Sequence, residues 1–226
     1  MASKPTIAIF YLGHPSESEA HESGNKRLLN TLAGKAVVIR ANSPKHALDI
    51  LRGKSTPARI FVADSGLSEP TNRPVLDSLV NYTKHGGTVL VGGIFSTTAQ
   101  WDKFGPMFAA WGLPWAVTSY TKQTIVLNRA SAGTPNATLP AEYYLKATFL
   151  KNVDDVARWY KTKVYFDSDD EEDEEMRAAV LRPNPLTPTE TAVAFAKVGD
   201  GWLGYLGDVN CQAETDAITL AMLDLM

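Results

Sequence analysis

Short apolar runs alternate along this chain with stretches in which apolar residues recur every three or four positions. Residues 6–12 (Thr-Ile-Ala-Ile-Phe-Tyr-Leu) form the first run and end in Gly13-His14-Pro15, a pattern for a buried strand and a loop. Leu28, Leu29 and Leu32 then share one face of a helix predicted over 21–32, with Gly34 as its stop. A second strand is predicted over 36–40. Ser43 and Pro44 supply an N-cap and a first-turn proline for a helix whose apolar face carries Ala47, Ile50 and Leu51. A third strand, 59–63, closes on Asp64-Ser65-Gly66. Val75, Leu76, Leu79 and Val80 keep 3.6-residue spacing in a helix over 73–84. After His85-Gly86-Gly87 comes a fourth strand, 88–91, apolar enough to be buried on both faces. Residues 92–98 turn into a helix that carries Trp101, Phe104, Met107 and Phe108.

Beyond Gly112 the rhythm changes. Residues 114–120 and 123–128 read as neighbouring strands, 129–140 as loop, and 153–159 as helical. Gly199-Asp200-Gly201 joins strands at 191–197 and 202–206 as a hairpin, and an apolar helix closes the chain over 214–225. Strand–helix alternation predicts right-handed βαβ units. The expected class is therefore α/β: a three-layer, flavodoxin-like, mostly parallel sheet flanked by helices, with a late antiparallel hairpin. No repeat or long linker calls for a second unit, so 1–226 is read as one domain.

Composition narrows the function. With 44% hydrophobic and 21% charged residues the chain has material for a core. The net charge of −3 becomes +5 once the eight carboxylates of 167–175 are set aside, so the acidity is local. That run lacks the spaced ligands and glycine of a calcium loop and reads as a solvated acidic surface loop. Lysine and arginine are scattered, which argues against nucleic acid as a partner. The opening residues carry no apolar leader core, and no run approaches a membrane span. Asn81-Tyr-Thr and Asn136-Ala-Thr match the glycosylation pattern, which has no use in a chain without a secretion signal. A lone cysteine, Cys211, excludes an internal disulfide and a cysteine-built zinc site. A cytoplasmic chain without a membrane partner is expected. Neither Gly-x-Gly-x-x-Gly nor Gly-Lys-Ser/Thr occurs, so no nucleotide or other cofactor is expected. Self-association is compatible with the sequence, which does not determine it.

The helix 75–84, the segment His85-Gly-Gly-Thr-Val-Leu-Val-Gly-Gly93 and the late Gly204-Tyr-Leu-Gly-Asp-Val-Asn210 together resemble the class I glutamine amidotransferase-like superfamily, and within it the ThuA-like and PfpI-like proteins. The resemblance covers most of 5–225 and implies a site at the carboxyl ends of the parallel strands, where open α/β sheets also place ligands on general grounds. In glutamine-hydrolysing members the turn after the fourth strand presents a cysteine. Here that position falls on Ile94 or Phe95, and no histidine follows the last strand, so the resemblance implies a domain without the Cys-His-Glu triad. PfpI-type members add a glutamate after strand one, for which Glu17, Glu19 and Glu22 are available.

Several residues compete for a role at that edge. Ser96, with His14 as base and Glu17 or Asp64 as carboxylate, is the candidate catalytic set of a relocated hydrolase; the simpler reading of Ser96 is a helix-capping hydroxyl. His14 and His21, beside Glu17, Glu19 and Glu22 after the first strand, are candidates for a metal site or an acid–base pair, but they lack metal-ligand spacing and surface-loop positions suffice to explain them. Asp64, Gly93, Phe95 and Asp208 are candidate ligand-binding residues, with an Asx-type turn as the plain alternative for Asp64. Cys211 precedes the last helix, where a thiol pKa can fall, or it is a small residue beside a cap. Trp101, Phe104, Phe108, Trp111 and Trp115 read as core or subunit-interface residues before pocket lining. The expectation is a domain that binds a small polar metabolite or a protein partner at the carboxyl edge, with the relocated hydrolase as the alternative.

Overall fold

A computed structural model describes residues 4–53, 56–133, 139–163 and 189–226. Among these residues nine strands form two sheets: β1 Thr6–Phe10, β2 Val37–Ala41, β3 Arg59–Val62, β4 Thr88–Val91, β5 Ala116–Leu127, β6 Glu142–Lys151, β7 Tyr160–Thr162, β8 Val193–Val198 and β9 Gly201–Leu206. The main sheet has the order β2-β1-β3-β4-β9-β8. Five of its strands run parallel, and β8 returns antiparallel to β9 as the predicted hairpin. The helices are α1 Pro15–Gly24, α2 Lys26–Lys35, α3 Pro44–Arg52, α4 Arg73–Lys84, α5 Phe95–Thr98, α6 Trp101–Ala109 and α7 Ala213–Met222. The α/β class with a mostly parallel, helix-flanked sheet is the one expected.

The period-two alternation of each strand sends neighbours to opposite faces. Ala8, Phe10, Ile60 and Val62 pack with Leu79, Phe104 and Phe108 on one face. Ile7, Ile9 and Phe61 pack with Leu28, Leu32 and Ile218 on the other. Phe104, Phe108, Trp111 and Trp115 belong to the first core, whereas Trp101 is 51% exposed. Ser43 caps α3 by accepting from His46 N at 3.2 Å, with Pro44 in its first turn, as its sequence predicts.

Four local expectations are corrected. The single helix over 21–32 is two, because the chain breaks at Asn25 (φ −106°, ψ 24°) and α1 begins earlier, at Pro15. α1 buries only His21, so it carries no apolar stripe from which to read a period. Residues 114–120 and 123–128 are not two strands: β5 is continuous from Ala116 to Leu127 and pairs along its length with β6. β6 and the short β7, which complete a three-stranded antiparallel sheet ordered β6-β5-β7, have no counterpart in the predicted elements. The helix over 153–159 is a single 3-10 turn, Asp155–Ala157. The acidic run 167–175 and Asn136-Ala-Thr lie outside the described residues. Among the described residues no helix is long and apolar enough to cross a membrane.

The small sheet is bonded to the carboxyl end of the main one. Thr148 N donates to Gly207 O at 3.0 Å, and Val209 N donates to Lys146 O at 3.1 Å. Tyr205 OH donates to Thr148 O at 3.0 Å. β6 therefore crosses the edge where the resemblance implies a site.

Candidate functional site

The carboxyl edge is assembled from the turns after β1, β3, β4 and β9. Asp64 stands two residues beyond the end of β3 and is fully buried. Its Oδ1 accepts from Leu12 N at 3.0 Å and Gly66 N at 3.1 Å, and its Oδ2 accepts from Gly13 N at 3.0 Å. Burial, and to a lesser degree the charge of Glu17, hold this carboxyl above the ordinary range, against the pull of the three N–H groups. The Asx-type turn to Gly66 is formed, and the same carboxylate ties the β1 and β3 turns together. Asp208 is buried and similarly engaged, with Oδ1 accepting from Asn210 N at 2.8 Å and Oδ2 from Gln212 N at 2.9 Å. Both aspartates thus spend their oxygens on backbone donors.

Gly93 follows β4 with φ +65°. It holds the left-handed conformation in the turn after β4, one residue before Ile94, whose φ is −93°. A Cβ at Gly93 would stand 2.5 Å from His21 Cδ2 and 2.7 Å from His21 Nε2. Glycine is required both by the conformation and by the histidine packed against it. Ile94 immediately precedes α5, and Phe95 is buried against Phe104 with ring centroids 5.0 Å apart. Phe95 is a core residue.

His21 is not a surface residue. It is fully buried, with Nδ1 2.9 Å from Tyr11 OH and its ring edge-on to Phe61. Among the described residues Nε2 has no hydrogen-bond partner. Burial first, and Arg40 second, lower its pKa to about 4, so the ring is neutral at neutral pH. Burial raises the Tyr11 phenol above its ordinary range. Beneath Gly93 a cavity of about 10 Å³ is lined in part by Asn25, Asp208, Cys211 and Thr215. Roughly one water fits such a volume.

The Ser96–His14 pair is not brought together. Ser96 is buried inside α5, where Oγ donates to Asp208 O at 3.4 Å and its carbonyl accepts from Thr148 Oγ1 at 2.9 Å. It neither caps the helix nor meets a base. His14 is exposed and caps α1, its Nδ1 accepting from Ser16 N at 3.3 Å and lying 2.8 Å from Ser16 Oγ. Each side chain is engaged with its own neighbours.

A different hydroxyl meets a carboxylate. Glu17, on α1, accepts through Oε2 from Ser65 N at 3.0 Å, Ser65 Oγ at 2.8 Å and Thr98 Oγ1 at 3.1 Å. It therefore joins α1, the β3 turn and α5 at the rim. Ser65 was missed because Asp64-Ser65-Gly66 reads as a turn alone. Cys211 sits at φ +53°, and burial, followed by the nearby Asp208 charge, pushes its thiol up. The lowered thiol pKa that a helix start suggests is not what the surroundings produce. Among the described residues no three His, Cys, Asp or Glu side chains gather as a metal ligand set.

Comparison with known proteins identifies the fold. No family model matches the chain, and no curated protein matches it in sequence. Solved structures do match. A ThuA-like protein from Bacteroides uniformis superposes with TM-score 0.61 at 10% identity, over 98% of this chain and 91% of that one. A ThuA-like protein from Parabacteroides merdae gives 0.58 at 12% identity, over 99% and 89%. A β-galactosidase from Bacillus circulans sp. alkalophilus gives 0.56 at 11% identity, with 98% of this chain matching 31% of the enzyme. The chain shares the fold of these ThuA-like proteins. At these identities the likeness concerns the fold.

Proposed function

We propose that this is an amidotransferase-like domain that acts by binding, without covalent chemistry at the elbow. The observation that carries this reading is Gly93: the elbow residue has no side chain, and buried His21 occupies the space where one would go. The cavity behind it holds about one water, and Asp64 and Asp208 are committed to backbone donors. What remains available is the exposed rim of Gly13, His14, Thr97 and Thr98 around the Glu17–Ser65 contact. A shallow polar rim suits a protein surface better than an enclosed metabolite. A cytoplasmic location fits the lone cysteine.

The relocated hydrolase survives only in altered form, as Ser65 with Glu17, the hydroxyl–carboxylate contact at this edge. Against it, Gly66 N is already bound to Asp64, so the adjacent backbone offers no free donor for an oxyanion. The test is turnover of glutamine and of a small activated ester by the purified chain and its Ser65→Ala variant. Rates equal to buffer for both proteins agree with the proposal. Saturable turnover abolished by Ser65→Ala contradicts it.

A further inference from the structure

The opposite edge of the main sheet carries a groove that the reading above does not use. It lies between the last turns of α3 and α4, next to the amino ends of β3 and β4, and encloses about 520 Å³. Small-molecule sites commonly span roughly 300–1,000 Å³. One wall is the half-buried ring of Tyr82, whose hydroxyl donates to Pro57 O at 2.7 Å. Gly87 fixes the ring, because a Cβ there would stand 2.2 Å from it.

Around this ring lie polar side chains with open hydrogen-bonding positions. Among the described residues exposed Arg52 has no ion pair and the Asn81 carboxamide makes no hydrogen bond. His85 Nδ1 lies 2.8 Å from Asn81 O. A carbonyl can only accept, so Nδ1 carries a proton and Nε2 presents a lone pair that can accept from a ligand. Asp77 also lines the groove, and Arg73 Nε, bound to its Oδ1 at 2.7 Å, offsets its charge. Arg52 also offsets the negative carboxyl end of α3, a role that leaves its guanidinium hydrogens free. A ring wall beside a guanidinium and an accepting imidazole nitrogen recognises a flat apolar body with an anionic oxygen pair at one end and a hydroxyl donor at the other.

The geometry points to this groove as a binding site for a small aromatic carboxylate. The carboxylate pairs with Arg52, the ring packs on Tyr82, and a ring hydroxyl donates to His85 Nε2 beside Asn81. This inference is independent of the carboxyl-edge proposal and stands or falls separately.

The probe is 4-hydroxybenzoate, titrated into the isotopically labelled full chain and followed by amide chemical shifts. Saturable shifts confined to 51–53 and 77–87 are expected. Phenol, which lacks the carboxylate, and cyclohexanecarboxylate, which lacks the plane, are each expected to bind about tenfold more weakly. Arg52→Ala is expected to weaken 4-hydroxybenzoate by about tenfold, and Asn81→Ala by a smaller factor. Lys151→Ala, which removes a charge from the small sheet, leaves the affinity unchanged. Both groove residues are exposed, and retained shift dispersion shows that the variants fold. The proposal is overturned by any of three results: no saturable shift up to about 10 mM, shifts centred on the carboxyl rim, or an affinity indifferent to Arg52→Ala.

Discussion

Lowering the pH toward 4 should selectively unload stability stored at His21. In the unfolded chain an imidazole titrates near 6.5, whereas in the folded protein burial holds this one at about 4. Between those values the unfolded chain binds the proton that the native state refuses. Stability therefore rises with pH across this window: it is complete above the unfolded value and is lost as pH falls through the folded one. The full difference is on the order of 3 kcal/mol, with a local slope of at most about 1.4 kcal/mol per pH unit. That is a large share of a typical domain stability of about 5–15 kcal/mol. Asp64 and Asp216 have carboxyl pKa values raised mainly by burial and work in the opposite sense at the acid end, so the His21 contribution is isolated by a variant. Urea unfolding followed by tryptophan fluorescence at several pH values, for the wild type and His21→Gln, measures both slopes. The variant is expected to be less stable at neutral pH, through loss of the Phe61 and Tyr11 ring contacts, and flatter between about pH 6.5 and 4. Parallel slopes would refute the claim that His21 is buried neutral.

The elbow should refuse any side chain. Gly93→Ala meets both a left-handed backbone and the His21 ring, and should cost roughly 2–4 kcal/mol in chemical unfolding. Part of that should return in the double variant with His21→Ala, and additive losses would argue against the contact. Asp64→Ala strands three backbone N–H groups and should destabilise by about 3 kcal/mol or more, whereas a ligand-holding aspartate would be neutral to stability. Cys211 should alkylate with iodoacetamide more slowly than glutathione at neutral pH, its rate rising only above the pH where a free thiol ionises. A rate plateau below that pH would contradict the raised thiol pKa.

The parallel sheet was legible because its strands are continuous apolar runs and most of its helices carry a clear stripe. Val75, Leu76, Leu79 and Val80 all face the core as their spacing requires. The small sheet was not legible. In β5 only Ile125 is buried, so the alternation that defines a half-buried strand is faint, and Thr121-Lys122 reads as a break. At the site, sequence placed the right turns at one edge but could not tell a free carboxylate from a committed one. Asp64 and Asp208 look like ligands until the backbone donors around them are seen. His21 was misjudged for a related reason: within a polar helix, nothing local marks the one position that turns inward.

The central claim, that the carboxyl edge has no covalent chemistry, is met most directly by intact-mass measurement. The chain is incubated separately with a glutamine-mimicking electrophile and with a fluorophosphonate, each with and without excess glutamine. The account predicts an unmodified mass with both reagents at times when a true glutaminase or serine hydrolase is fully labelled. One adduct per chain, mapped to Ser65, Ser96 or Cys211 and blocked by glutamine, would contradict it.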